Sequence, residues 1–168
     1  MNRVIEEWFA QNEKAAWEVA REIWENPEVA YEEKNSCQIL ARYMEQNGFD
    51  VQTLCVRSAD GSPNGLKAVY GKGKPVIGIL GELDALPGLA QEAVPYESRK
   101  TGPGHGCGHN LLAAGCAAGA IGAKAVLEEE GLSGTIVFFG CPAEETISGK
   151  VIMASMGCFD DLDICLTW

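Results

Sequence analysis

The chain has 168 residues and a mass of 18.0 kDa, enough to bury one ordinary core and short for two. With 46% hydrophobic and 22% charged residues and a mean hydropathy of -0.04, the composition is that of a folded globular protein and excludes an acidic disordered tail. Its 13 basic and 24 acidic side chains leave a net charge of -11, which repels a phosphate backbone or an anionic membrane surface and disfavours nucleic-acid binding.

In chain order, Val4, Trp8, Trp17, Ala20 and Trp24 recur at roughly helical intervals among charges, which predicts an amphipathic helix over 4–24 stopped by Asn26-Pro27. Acids in this N-terminal stretch interrupt the apolar core a signal peptide needs, and no apolar run is read as approaching the ~20 residues of a membrane span. Neither export nor membrane insertion is expected. Seven cysteines (Cys37, Cys55, Cys107, Cys116, Cys141, Cys158 and Cys165) form an odd set without a C-x-x-C pair, as in reduced thiols of a cytoplasmic protein.

A second helix is predicted over 36–46, burying Ile39, Leu40 and Tyr43 and closed by a left-handed cap at Asn47-Gly48. Residues 49–56 follow as a strand, 58–65 are dense in turn formers, and 66–70 read as a short strand. The nearly continuous apolar run 76–80 predicts a central strand covered on both faces. It leads into Gly81-Glu82-Leu83-Asp84, at the strand end where open α/β sheets collect ligands. After a polar segment, 91–108, comes an Ala- and Gly-rich helix over 111–130. Its glycines each cost about 1 kcal/mol relative to alanine and so predict close packing against a sheet. Residues 135–139 form another buried strand, followed by Cys141-Pro142-Ala143-Glu144-Glu145, a helix near 149–156 and a last core-like strand, 164–168. Strands alternating with helices are α/β order. A chain that stops on such a strand, with no closing helix, is expected to be a fragment.

Both histidines of the chain lie in Gly104-His105-Gly106-Cys107-Gly108-His109-Asn110, just before the long helix. Thiolate and imidazole suit zinc-like ions, and the glycines let a tight loop aim Cys107 and His109 at one point. The same loop could be a simple turn with Cys107 as a small hydrophobe, and two ligands do not make a site. A phosphate loop is disfavoured because neither G-x-G-x-x-G nor G-K-[ST] occurs here. Glu144 and Glu145 add two carboxylates at a second strand end, where one can bind metal and the other move a proton. Adjacent acids also occur at Glu32-Glu33 and within Glu128-Glu129-Glu130, so the pair alone reads equally as a solvated turn. Asp84 either orients a ligand histidine or caps a turn. Together, three clusters at three strand ends point to one shared site.

GELDALPG, GHGCGHN and GCPAEE, in this order, resemble the metal-dependent amidohydrolase branch of metallopeptidase family twenty, which contains carboxypeptidase G and the aminoacylases. The resemblance covers essentially the whole chain and lies nearest the aminobenzoyl-glutamate hydrolase and dipeptidase members. It implies a zinc-peptidase-like α/β fold, a three-layer mixed sheet with helices on both faces. It further implies that residues 1–168 are the N-terminal portion of a catalytic domain, without the lid and dimerisation domain of the relatives or their downstream histidine ligands. Cys107, His109 and Glu145 would ligate two divalent ions, zinc or manganese, with Cys107 as the bridge. Glu144 would be the general base and Asp84 the supporting acid. Glu82 stands where many relatives carry a ligand histidine, and His105 has no assigned role.

The activity so implied is hydrolysis of an amide bond in an N-acyl or N-aroyl amino acid, aminobenzoyl-glutamate-like, or in a dipeptide, by a full-length homodimer or hetero-oligomer. The substrate pocket is unassigned. The rival expectation is a truncated, catalytically incomplete α/β module that binds metal or a partner. A redox role for Cys107 is weaker, because no resolving cysteine lies within a few residues.

Overall fold

A computed structural model describes residues 2–94 and 100–167. Its elements are α1 (Arg3–Glu25), α2 (Lys34–Gln46), β1 (Asp50–Leu54), β2 (Gly65–Lys72), β3 (Val76–Glu82), α3 (His109–Glu130), β4 (Gly134–Cys141), α4 (Gly149–Ser155) and β5 (Ile164–Leu166). The strands form a mixed sheet in the order β1-β2-β4-β3-β5. β1–β2 and β2–β4 are antiparallel, while β3 runs parallel to both β4 and β5.

Period-two alternation along the interior strands loads both faces of the sheet. Phe138 and Phe139, neighbours in β4, are both fully buried but join different cores. Phe138, Ile136, Leu66 and Ala68 pack under α1, α2 and α3. Phe139, Val137 and Leu80 pack with Met153 of α4 and with Cys158 beyond it. The architecture is therefore the expected three-layer α/β sheet with helices on both faces, three long ones on one side and the short α4 on the other.

Several expectations change in detail. The middle strand is β4, not β3, although β3 is paired on both sides. Trp17 is 64% exposed, because the buried stripe of α1 is Val19, Ala20 and Ile23. Ala20 makes the close approach to α3, its carbonyl accepting from Asn110 Nδ2 at 3.1 Å, and the bulkier indole lies beside that contact. α3 is, by length and composition, apolar enough to cross a membrane, contrary to the sequence reading; here it packs between α1 and the sheet. β5 is an exposed edge strand rather than a core one, with Ile164 46% and Leu166 52% exposed. Trp168, predicted in that strand, lies outside the described residues, as do 95–99 of the polar segment.

The glycines of α3 do not supply the close packing predicted for them. Nothing lies within 4 Å of a Cβ built on Gly115 or Gly119, and Gly122 meets Phe9, Ile5 and Trp8 at ordinary contact distance. Small residues that touch the sheet are alanines, and the intolerant glycine is on the strand: a Cβ on Gly81 would come 2.9 Å from Ala113 Cα. Gly119→Ala is therefore expected to stabilise the protein by about 0.5–1 kcal/mol through helix propensity and chain entropy. Gly81→Ala is expected to destabilise it by about 1–3 kcal/mol through overpacking. Urea unfolding of the two variants measures both.

Candidate metal centre

β3 and β4 are in parallel register up to Glu82 opposite Cys141, so their C-terminal ends lie side by side. One more backbone bond, from Leu83 N to Cys141 O at 3.1 Å, extends the pairing before the chains diverge. Asp84 then sits at the seam, 1% exposed. The loop after β4 turns at once, with Ala143 at φ 54°, and presents consecutive backbone N–H groups to it. Glu144 N donates to Asp84 Oδ1 at 3.0 Å and Glu145 N to Asp84 Oδ2 at 2.9 Å.

α3 contributes from the third direction. Gly108, at φ 90°, precedes its first residue, a left-handed conformation that a side-chain-bearing residue adopts only with strain. This turn brings His109 inward, 4% exposed, with Nδ1 2.9 Å from the Asp84 carbonyl oxygen and 3.3 Å from Asp84 Oδ1. Both neighbours are acceptors, so Nδ1 carries the proton and the Nε2 lone pair is free. Nε2 faces Glu144 Oε2 at 3.6 Å and Glu145 Oε1 at 4.0 Å.

Cys107, His109 and Glu145 each bring one ligand atom, and these atoms lie within 4.8 Å of one another. A thiol sulfur, a tautomer-fixed imidazole and a carboxylate form a donor set that fits a zinc-like cation. One further observation agrees with that fit. Glu145 Oε1 is buried and has no hydrogen-bond partner among the described residues. The Cys107 thiol is pushed up by desolvation and by the nearby carboxylates of Glu145, Glu144 and Glu82, so it lacks the depressed pKa of a redox thiol.

Not every sequence candidate joins. Glu82 is 5% exposed and engaged by Lys150 Nζ of α4 at 2.5 Å. His105 is outside the donor set; burial pushes its pKa down to about 4, which keeps the ring neutral. All seven cysteines are free thiols.

One residue escapes the sequence reading. Glu33, there half of an ordinary acidic pair, is fully buried while Glu32 is exposed. Its Oε1 accepts from Tyr31 N at 2.9 Å and from Ala143 N at 2.7 Å, and its Oε2 from Asn64 Nδ2 at 3.1 Å. Burial pushes its pKa up to about 7 against those donors. Asn64 is itself fully buried inside the stretch read only as turn formers. No sequence signal marks Glu33, because the contacts that separate it from its acidic neighbours exist only in the fold, where Glu28 accepts from Asn35 N, Ser36 N and Ser36 Oγ. With Glu28 serving the start of α2, Glu33 is not needed there.

Burial alone would lower the His109 pKa, but the Asp84 carboxylate outweighs it and the net shift is upward. Burial would likewise raise Asp84, and His109 with the two backbone donors reverses it, so Asp84 falls below the usual carboxylate range. The His109 contribution to stability is complete below the unfolded-state histidine pKa and lost as pH rises through the folded value. The Asp84 contribution is complete above the unfolded-state carboxylate pKa and lost as pH falls through the folded value. Metal-free protein is thus expected to be most stable between the two. Asp84→Asn should flatten that profile and lower the His109 pKa, read by urea unfolding across pH and by NMR titration of the ring.

The sequence pattern of peptidase family M20/M25/M40 matches residues 78–166, from β3 to β5, and so includes Asp84, Cys107, His109, Glu144 and Glu145. The chain is 43% identical over 169 residues to one of the subunits of p-aminobenzoyl-glutamate hydrolase from Escherichia coli, covering 99% of this chain and 34% of that protein. It is 33% identical over 162 residues to human Xaa-Arg dipeptidase, covering 87% and 33%. It thus spans about a third of the length of these relatives. Among solved structures, a dinuclear metal-binding peptidase of the M20 family from Bacillus subtilis superposes with a TM-score of 0.70 and 26% identity, over 90% of this chain and 41% of that one. The matched segment covers more than half of the chain, and the chain belongs to peptidase family M20/M25/M40.

Proposed function

We propose that this chain forms part of the catalytic domain of a metal-dependent amidohydrolase acting on an N-acyl or N-aroyl amino acid, such as an aminobenzoyl-glutamate conjugate, or on a dipeptide. The observation that carries the reading is the meeting of Cys107, His109 and Glu145 donor atoms within 4.8 Å, with the Glu144 carboxylate beside them. The substrate class is supported by the relatives, a p-aminobenzoyl-glutamate hydrolase and a dipeptidase.

Cys107, His109 and Glu145 would hold the cation, zinc or manganese; two ions per site, with Cys107 shared, accord with the dinuclear bacterial peptidase. A bound divalent ion lowers the pKa of water and polarises an amide carbonyl. Glu144, 37% exposed, reaches solvent and acts as general base, taking a proton from the attacking water and returning it to the leaving amine. Asp84 holds Nδ1–H of His109 and the backbone of both glutamates, and so fixes the direction of the donors without touching substrate. Seven free thiols support a reducing, cytoplasmic setting.

In the longest natural form of the protein, Glu144→Gln is expected to reduce kcat by about 10²–10⁴-fold while leaving Zn²⁺ affinity within a few-fold. His109→Ala should lose the metal as well as turnover. Isothermal titration with Zn²⁺ and hydrolysis of p-aminobenzoyl-glutamate separate the two; unchanged turnover in Glu144→Gln overturns the role given to that residue.

A further inference from the structure

The loop from Pro142 to Gly149 carries both glutamates of the site, and what holds it in place is only partly within the recognised motifs. Its three successive N–H groups at Ala143, Glu144 and Glu145 all donate to buried carboxylates. Asp84 takes the last two. Glu33, which belongs to none of the three motifs, takes the first, at 2.7 Å. The same short segment grips the far end of the loop, where Tyr31 Oη lies 2.5 Å from Ser148 Oγ. Between these ends the loop closes on itself, since a Cβ on Gly149 would collide with the Pro142 carbonyl oxygen.

We infer that Glu33 is a positioning residue, which sets the direction of Glu144 and Glu145 by holding the Ala143 N–H from outside the metal centre. Ala143 is fully buried and sits at φ 54°, so its N–H has no water to turn to and its backbone is held in a conformation alanine does not favour. Without the Glu33 oxygen the cheapest response is a rotation of the 143–145 backbone toward another acceptor, and that rotation carries both carboxylates with it. Asn64 makes the geometry specific. Its amide oxygen accepts from Val56 N at 2.8 Å and its amide nitrogen donates to Val56 O and to Glu33 Oε2, which fixes its orientation. Tyr31 N, Ala143 N and Asn64 Nδ2 all donate to Glu33, so the position calls for an acceptor on both oxygens at a fixed reach.

The role depends on reach more than on charge, which separates two conservative changes. Glu33→Gln keeps one oxygen for Ala143 and Tyr31 and places its amide nitrogen against that of Asn64. Glu33→Asp keeps the charge but is one methylene too short. This inference rests on the proposed hydrolase activity for its consequence in turnover, but not for its structural part. The test therefore combines two measurements on the longest natural form of the protein. The first is amide hydrogen exchange at residues 143–145 without metal; the second is kcat and KM for p-aminobenzoyl-glutamate with Zn²⁺ bound.

Glu33→Ala and Glu33→Asp are expected to speed exchange at Ala143 by about tenfold or more and to lower kcat by about 10–100-fold with KM within threefold, with Glu33→Gln milder on both readouts. Should the alanine variant fail to fold, the order of the other two decides. Exchange and kcat within threefold of the parent in all variants, or Glu33→Asp as mild as Glu33→Gln, overturns the inference. A parent protein that binds no Zn²⁺ and cleaves no amide instead overturns the proposed function, while the exchange rates still decide whether Glu33 holds the loop.

Discussion

The ionised carboxylate of Asp84, almost sealed from solvent, is the constraint on which the site depends. A buried charge is costly unless it is both paired and hydrogen-bonded, and Asp84 meets that condition only by recruiting two other parts of the chain. Its oxygens are satisfied by the His109 ring at the start of α3 and by the N–H groups of Glu144 and Glu145 after β4. Hydrogen bonds to a charged group contribute about 1.5–3 kcal/mol each, so the set is strong enough to dictate local backbone. The end of β3, the head of α3 and the loop after β4 are thereby tied at one point, and the donor atoms follow from it.

Topology explains why those three pieces are within reach. Parallel strands cannot be joined by a hairpin, so the chain leaving β3 must return to the other end of the sheet before β4 begins. α3 makes that return over 22 residues. Its first residue consequently lies at the end where β3 finished, and its last near the start of β4. A residue at the N-terminus of the crossover helix and residues just past the two strands must therefore share one end of the sheet, which is where doubly wound sheets gather ligands. His109 has its place for this reason, and a helix shifted by two residues would direct another side chain toward Asp84.

The same logic accounts for what could be read from sequence. Strands over 76–80 and 135–139, the helix between them and the acids beyond each strand are local patterns, and a parallel arrangement converts them into a common site without further information. Glu33 could not be read that way. It adjoins Glu32, and the two have the same chemistry and opposite fates, decided by a contact 110 residues away at Ala143. The glycine spacing singles out His109 with Cys107, but the Asp84 oxygens that orient its ring come together with it only in the fold. The α3 glycines misled because their cost is local, whereas the close approach they suggested is made by Gly81 across the layer. Likewise Trp17 obeys the helical period but yields the buried stripe to Ala20, since only a small residue lets α1 and α3 approach.

Charge balance links these features to cation binding. Close to one another lie the carboxylates of Glu144 and Glu145 and the Cys107 sulfur, and the ring of His109 is the polar group that faces them from α3. Lys150 is the nearby ammonium on α4, but the Glu82 carboxylate engages it at 2.5 Å. Glu145 Oε1, without a hydrogen-bond partner among the described residues, and the Cys107 thiol, whose ionisation the neighbouring carboxylates oppose, would both be relieved by a divalent cation held between them.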